Sequence, residues 1–368
     1  MGKLKKIPAT SNGAVLTPLE LILTLAAVAL AVWIALPAWY WHRIEVKTPE
    51  DFRLAYTSRD DYELYDRVVG KLCEKHDTLF LGDSVVWGMY VKNDHTLPAY
   101  LNRELGRDVV ANIAVDGLHP VAMETLMRRY GGAIRGKRVF LYWNPLWMNT
   151  PLYDLTGEGD FSINHPRLLP QFDLSMKSFH PGFRDRCQAT LERLVPFYGW
   201  LHHLRVASFD NTDFKKHLVR HPDENPVKKL HREFTPVETE HQDGRFDWKQ
   251  SGIKPQDWPW VALDASRQWK ALLATAKVLR ERGNDVVVVI GTINPHMQTP
   301  ASLKRYYALR AAAMAELQRQ GYRVVDLPEL PSEEYADASH PLAAGYRRLA
   351  KFMAEKISDR PVTQNKEK

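Results

Sequence analysis

Residues 79–88 read "LFLGDSVVWG", and the order of chemistries in that run decides the fold. Leu79, Phe80 and Leu81 are apolar; a glycine, an acid and a hydroxyl follow, and then apolar residues return. Strands of buried parallel sheets read as short, nearly continuous apolar runs, because helices cover both faces. Functional side chains in such sheets collect just past the carboxyl ends of the strands. The reading therefore predicts a strand over 78–82 and puts Ser84 where an α/β protein keeps its chemistry.

Working outward, further apolar runs predict strands over 109–114, 138–143, 285–291 ("DVVVVIG") and 322–327. Helical periodicity separates them. Trp269, Leu272, Leu273, Ala276 and Leu279 share one face, with Gly283 as the stop, and Leu342, Tyr346, Leu349 and Met353 repeat the pattern near the end. Alternating β and α elements predict a parallel sheet sandwiched by helices. Between 150 and 260 the pattern dissolves into "HPRLLPQFDL", "VPFYGWLHHLRV" and "FDWKQSGIKPQDWPW", which is read as an insertion because so many aromatic rings demand burial.

The N-terminus carries a different signal. From Leu21 to Trp41, "LILTLAAVALAVWIALPAWYW" holds no charge, and about 20 apolar residues are what a helix needs to cross a bilayer. The run is longer than the roughly 7 to 15 residues of a signal-peptide core, and Trp39, Tyr40 and Trp41 suit a membrane interface. Ala29-Leu30-Ala31 resembles a cleavage site, so a processed form stays as the lesser reading. Lys3, Lys5 and Lys6 before the span, against Arg43 and Lys47 after it, favour a cytoplasmic N-terminus. The expected layout is a cytoplasmic tip and signal anchor over 1–44, one α/β domain in two parts over 45–149 and 261–358, the insertion over 150–260 and a polar tail over 359–368. At 368 residues, 45% hydrophobic and +6 in formal charge, the chain shows no dense basic stripe interleaved with aromatics, so no nucleic-acid partner is expected. Cys73 and Cys187 make neither a zinc site nor a disulfide framework.

Chemistry can now be placed on the predicted strand ends. The first ends at Gly82-Asp83-Ser84; the second, in "NIAVDG", ends at Gly117; the third, in "LYWNP", ends at Asn144; and "EEYADASHPLAAGY" after the last strand supplies Asp337 and His340. A serine becomes a nucleophile at neutral pH when a base accepts its proton, and a histidine oriented by a carboxylate is the usual base. The amides of Ser84 and Gly117 and the carboxamide of Asn144 would give an oxyanion three donors. His119, Asn294 and His296 also follow strands, and with Asp83 and Trp143 they are candidate substrate contacts; as lone residues they read first as loop or core positions. Asp83 and Ser84, taken alone, read equally well as helix caps.

The ordered set Gly82-Asp83-Ser84, Gly117, Asn144 and Asp337-x-x-His340 resembles the SGNH (GDSL-type) hydrolase superfamily, over roughly 76–145 and 285–355. The resemblance implies a flavodoxin-like three-layer α/β/α fold with a central parallel sheet, behind one N-terminal transmembrane helix. It implies Ser84 as nucleophile, His340 as general base, Asp337 as its orienting partner, and Ser84, Gly117 and Asn144 as the oxyanion hole, with no metal and no cofactor. One block departs: the family's usual Gly-x-Asn-Asp is here Tyr142-Trp143-Asn144-Pro145, and proline removes a backbone donor. The expected activity is that of an esterase or O-acetyltransferase. Similarity to membrane-tethered members implies a bacterial inner-membrane protein with its catalytic domain outside, acting on an acylated carbohydrate or cell-envelope polymer beside a multi-pass membrane acyltransferase. Two readings from other classes stand beside it: a catalytically silent, membrane-anchored glycan-binding or assembly factor, and a phosphate-cradling flavodoxin-like binder. The missing glycine-rich phosphate loop argues against the last.

Overall fold

Five strands pair in parallel in the order β2-β1-β3-β4-β5, where β1 is Thr78–Leu81, β2 Val110–Asn112, β3 Arg138–Trp143, β4 Asp285–Ile290 and β5 Arg323–Asp326. Each falls inside its predicted stretch. This computed structural model describes residues 16–159, 161–209, 211–212, 214–224, 233–234, 248–249 and 252–358. Lys3, Lys5 and Lys6, used above to orient the span, and the tail over 359–368 lie outside the described residues.

The near-continuous apolar runs are explained by what lies above and below the sheet. Leu79, Leu81, Val139, Leu141, Val286 and Val288 point into one core, shared with α2 (Tyr62–Lys75), α5 (Pro120–Tyr130), α9 (Arg267–Glu281) and α10 (Pro300–Arg319). Their neighbours Phe80, Phe140, Val287 and Val289 point into a second core, against α3 (Ser84–Trp87), α4 (Leu97–Glu104) and α11 (Ala343–Ser358). The alternation has the period of two that a pleated strand imposes, so the fold is three layers with a sheet buried on both faces. The predicted helix around Trp269 is α9, capped by Ser266, whose hydroxyl accepts from the Trp269 amide.

Strand order decides where a site can form. The chain moves from β1 outward to β2, then crosses back to place β3 on the other side of β1. At such a reversal the loops leaving β1 and β3 diverge, and their carboxyl ends open a crevice.

The N-terminal helix α1, Pro18–Arg43, has 26 residues, includes an 18-residue window of mean hydropathy 2.5 in which no residue is buried, and is long and apolar enough to cross a membrane. Thr17 and Glu20 cap its start reciprocally, and Pro18 occupies the first position, where its missing N–H costs nothing. A π-turn at Ala31–Ala35 lies just ahead of Pro37, whose ring would crowd a regular turn. The aromatic cluster at its end does not all face outward as the sequence led us to expect. Trp39 is exposed, whereas Tyr40 and Trp41 are buried against α7 (Pro196–Ser208) of the insertion. Tyr40 Oη lies 3.1 Å from His203 Nε2, and His203 Nδ1 lies 2.7 Å from the Asp61 carboxylate, which also caps α2.

The insertion is more regular than its sequence. Besides α7 it contains α6 (Phe183–Leu194) and α8 (Phe214–Arg220). Helical periodicity was obscured there because the buried side chains include His202, His203 and Glu192, held by polar partners such as Arg167.

Candidate functional site

The abrupt end of β1 has a steric cause. A Cβ on Gly82 would sit 2.5 Å from Val86 Cγ2 and 2.8 Å from Val86 Cβ, so the turn into α3 passes too close for any side chain. Asp83 then caps that turn, its Oδ1 accepting from the Val85 amide at 3.0 Å. Its other oxygen accepts from Asn144 Nδ2 and Trp147 Nε1, both at 2.8 Å. Burial raises the Asp83 carboxyl above the usual range, while these donors favour the charged form and partly offset it. Asp83 therefore ties the end of β1 to the end of β3, across the point where the strand order reverses.

Ser84 opens α3 with its hydroxyl 2.8 Å from His340 Nε2. On the far side of the ring, Nδ1 lies 2.8 Å from both carboxylate oxygens of Asp337. The Asp337 carboxylate also accepts the amides of Ser339 at 3.0 Å and His340 at 2.9 Å, so one short loop both presents the acid and locks it. Burial alone would raise Asp337, but the imidazole and the two amides hold it down at about 2. Burial likewise disfavours an imidazolium at position 340, yet the Asp337 charge, reinforced by Asp83 and Asp116, raises its pKa above the ordinary 6.5. The order hydroxyl, imidazole, carboxylate at hydrogen-bond spacing is the arrangement that lets a ring withdraw a proton from oxygen and hold it.

Gly117 follows β2, with φ +70°, and a Cβ there would meet Asn164 Nδ2 at 2.7 Å. Asn164 comes from the insertion, which thus reaches the rim of the crevice. The amide of Val115 donates to the Gly82 carbonyl at 3.2 Å, so the second strand's end is laced to the first just short of Ser84 and Gly117.

Other candidates are placed differently. Trp143 points into the first core against Trp269, with ring centroids 4.9 Å apart, and is fully buried; it is not a substrate contact. Alternation along β3 sends it to the face away from Ser84, and Trp147, four residues on, is the tryptophan that meets Asp83. His119 caps α5 and faces the Asn164 carbonyl at 3.1 Å; burial drives its pKa down to about 3, so it is a neutral, structural imidazole. Asn294 is buried, its Nδ2 donating to the Asp337 carbonyl at 3.2 Å, and so braces the loop that carries the acid. His296 is exposed and stacks on Trp248.

Sequence reasoning passed over Tyr90. Its ring meets the His340 imidazole edge-on at 5.6 Å, and its hydroxyl bonds Asp337. Its φ of +67° is a left-handed conformation that a bulky residue rarely adopts. Arg53, fully buried, braces the same loop by donating to the carbonyls of Gly88 and Val91 at 2.7 and 2.9 Å. Nothing in "WGMYVK" announces this strain, since the conformation is imposed by contacts from elsewhere in the chain. Among the described residues no group of three His, Cys, Asp or Glu converges as metal ligands would. In comparison with known proteins, no family model and no curated protein matches the chain.

Proposed function

We propose that this chain is a serine-dependent acyl-ester hydrolase or O-acyltransferase of the SGNH type, with that family's flavodoxin-like arrangement. The observation that carries the reading is the unbroken relay from Ser84 Oγ to His340 Nε2 and from His340 Nδ1 to Asp337, each step 2.8 Å. In the mechanism, Ser84 Oγ attacks the ester carbonyl as its proton passes to His340 Nε2. The tetrahedral oxyanion is received by the Ser84 and Gly117 amides and by Asn144. Collapse expels the alcohol, which takes the proton back from His340 and leaves an acyl-serine. A second nucleophile, deprotonated by the same nitrogen, then takes the acyl group. Water makes the chain an esterase; a sugar hydroxyl makes it an O-acyltransferase.

The apolar helix α1 supports a substrate at a membrane face, and the charges flanking it support a body outside the cytoplasm. We read the substrate as acetyl groups on an extracytoplasmic polysaccharide or cell-envelope glycan, with a multi-pass membrane acyltransferase as the matching donor. The test incubates the full chain in detergent with a chromogenic acetyl ester, with and without a glycan oligomer. Acetyl recovered on the glycan identifies a transferase, and release to water alone identifies an esterase. A folded wild-type chain with no turnover and no labelling by a fluorophosphonate overturns the reading in favour of a silent binding factor.

Asn144 has a sharper test. One of its N–H bonds is committed to Asp83; the other, 3.4 Å from Ser339 Oγ, is weakly held and available to an oxyanion. Asn144→Ala is expected to lower kcat about 10²- to 10³-fold with little change in KM. Trp147→Phe removes the other donor from the same Asp83 oxygen without touching the oxyanion, and a loss of under about tenfold there separates the two roles. Equal losses in both variants, measured by steady-state kinetics, would reassign Asn144 to scaffolding of Asp83.

A further inference from the structure

Away from the crevice, α6, α7 and α8 enclose a groove of about 880 Å³, lined by Phe183, Leu191, Leu201, Leu204, Phe209 and Phe214 among others. Its volume is that of a small-molecule pocket, and most of its lining surface is apolar, with Arg184, Glu192 and Arg205 as the charged groups among the lining residues. Large apolar side chains of its lining are left bare: Phe183 is 78% exposed, Phe214 51% and Leu191 41%. A soluble surface rarely gathers so much contiguous apolar area unless something covers it.

What covers it follows from where the groove sits. Helix α7 packs along α1 over both Ala31–Ala35 and Leu36–Arg43. At 1.5 Å per residue, Ala31 and Ala35 lie about 18 and 12 Å below Arg43 along the helix axis. Half of a bilayer's hydrocarbon is about 15 Å, so whatever flanks α1 at that depth lies in the acyl region of the leaflet nearest the body. Basic residues fit the same placement. Residues 183–220 hold seven Lys and Arg against four Asp and Glu, and Arg184 and Arg205 line the groove itself. An apolar face bordered by basic side chains is the pattern of an element lying in a membrane interface.

We infer that the groove between α6, α7 and α8 binds a membrane phospholipid, one acyl chain lying on the Leu191, Leu201 and Phe209 floor and the phosphate meeting the guanidinium groups of Arg184 and Arg205. The insertion is thus a second membrane attachment beside α1, and the lipid is its ligand. The site depends on α1 lying in a bilayer and is independent of the chemistry at Ser84.

The test uses the full chain in nanodiscs of phosphatidylcholine and phosphatidylglycerol, doped with a phosphatidylcholine that carries a diazirine at its chain end. After illumination, adducts are mapped by mass spectrometry. The expected result is labelling of the α6 and α7 peptides as well as of α1. Leu191 and Leu201 are 41% and 40% exposed, so the double variant Leu191→Asp, Leu201→Asp keeps the fold while charging the floor. It is expected to lose groove adducts about tenfold or more, since a carboxylate is strongly disfavoured in hydrocarbon, with α1 adducts unchanged. Adducts confined to α1, or groove adducts indifferent to the variant, overturn the inference. So does labelling by a free diazirine fatty acid but not by the phospholipid, which would make the groove a site for single-chain ligands. Fluorophosphonate labelling of Ser84 in the same samples reports on the crevice separately: its loss in all of them condemns the reading of Ser84 and leaves the lipid result standing.

Discussion

Ser84→Ala is expected to abolish covalent labelling by a fluorophosphonate and to lower acyl-ester turnover by at least about 10³-fold, because the Ser84 hydroxyl is the one that His340 Nε2 faces at 2.8 Å. The substitution removes one oxygen from the first residue of a short turn and leaves the Asp83 cap and its three donors intact. The variant should therefore fold, and its circular dichroism and unfolding midpoint should match the parent. What remains is binding plus the oxyanion donors, which in related constellations still act over uncatalysed hydrolysis. Labelling that persists in Ser84→Ala, at any site with the same kinetics, removes Ser84 from the mechanism.

Asp337→Asn is expected to reduce kcat by about 10⁴-fold while leaving the shape of the crevice unchanged. The carboxylate accepts from the His340 ring and from two backbone amides. A carboxamide can accept from the amides with its oxygen but then presents an N–H toward Nδ1, so the imidazole is driven to the tautomer whose Nε2 carries the proton and cannot take one from Ser84. The pH profile gives a second readout. His340 must be neutral to act as a base, and because Asp337 raises its pKa above 6.5, wild-type activity is expected to fall away on the acid side at a midpoint above that value. Without the carboxylate, burial dominates and the imidazolium is destabilised, so the residual activity of Asp337→Asn should titrate at lower pH than wild type. An unshifted acid limb in the variant would mean that another group controls the profile.

The strands were legible because a sheet covered on both faces leaves little choice of residue: "TLFL", "RVFLYW" and "DVVVVI" each open on one polar residue and then run buried and uncharged. The relay was legible because its members follow strand ends and because Asp337 and His340 belong to one four-residue loop. What the sequence concealed depends on long-range packing. Trp143 and Trp147 are alike on paper, and only the pleat of β3 sends one to the core and lets the next loop bring the other to Asp83. Tyr90 gives no sign of its left-handed backbone, since tyrosine is a poor residue for that conformation and Arg53, 37 positions earlier, helps to brace the loop. The helices of the insertion were hidden because histidines and a glutamate occupy buried positions that the periodicity rule reserves for apolar residues.

The contact of Tyr40 with His203, and of His203 with Asp61, is small in area but mechanical in effect. A body joined to its span by a loose linker roams a hemisphere and meets substrate at any height above the leaflet. Here the last turn of the span is bolted through one imidazole to the helix that leads into β1, so the crevice has a fixed standoff and a fixed tilt. Under the proposed function, a body held in this way does not search by swinging; a polymer has to be drawn past it at the height of the opening, like thread through a guide.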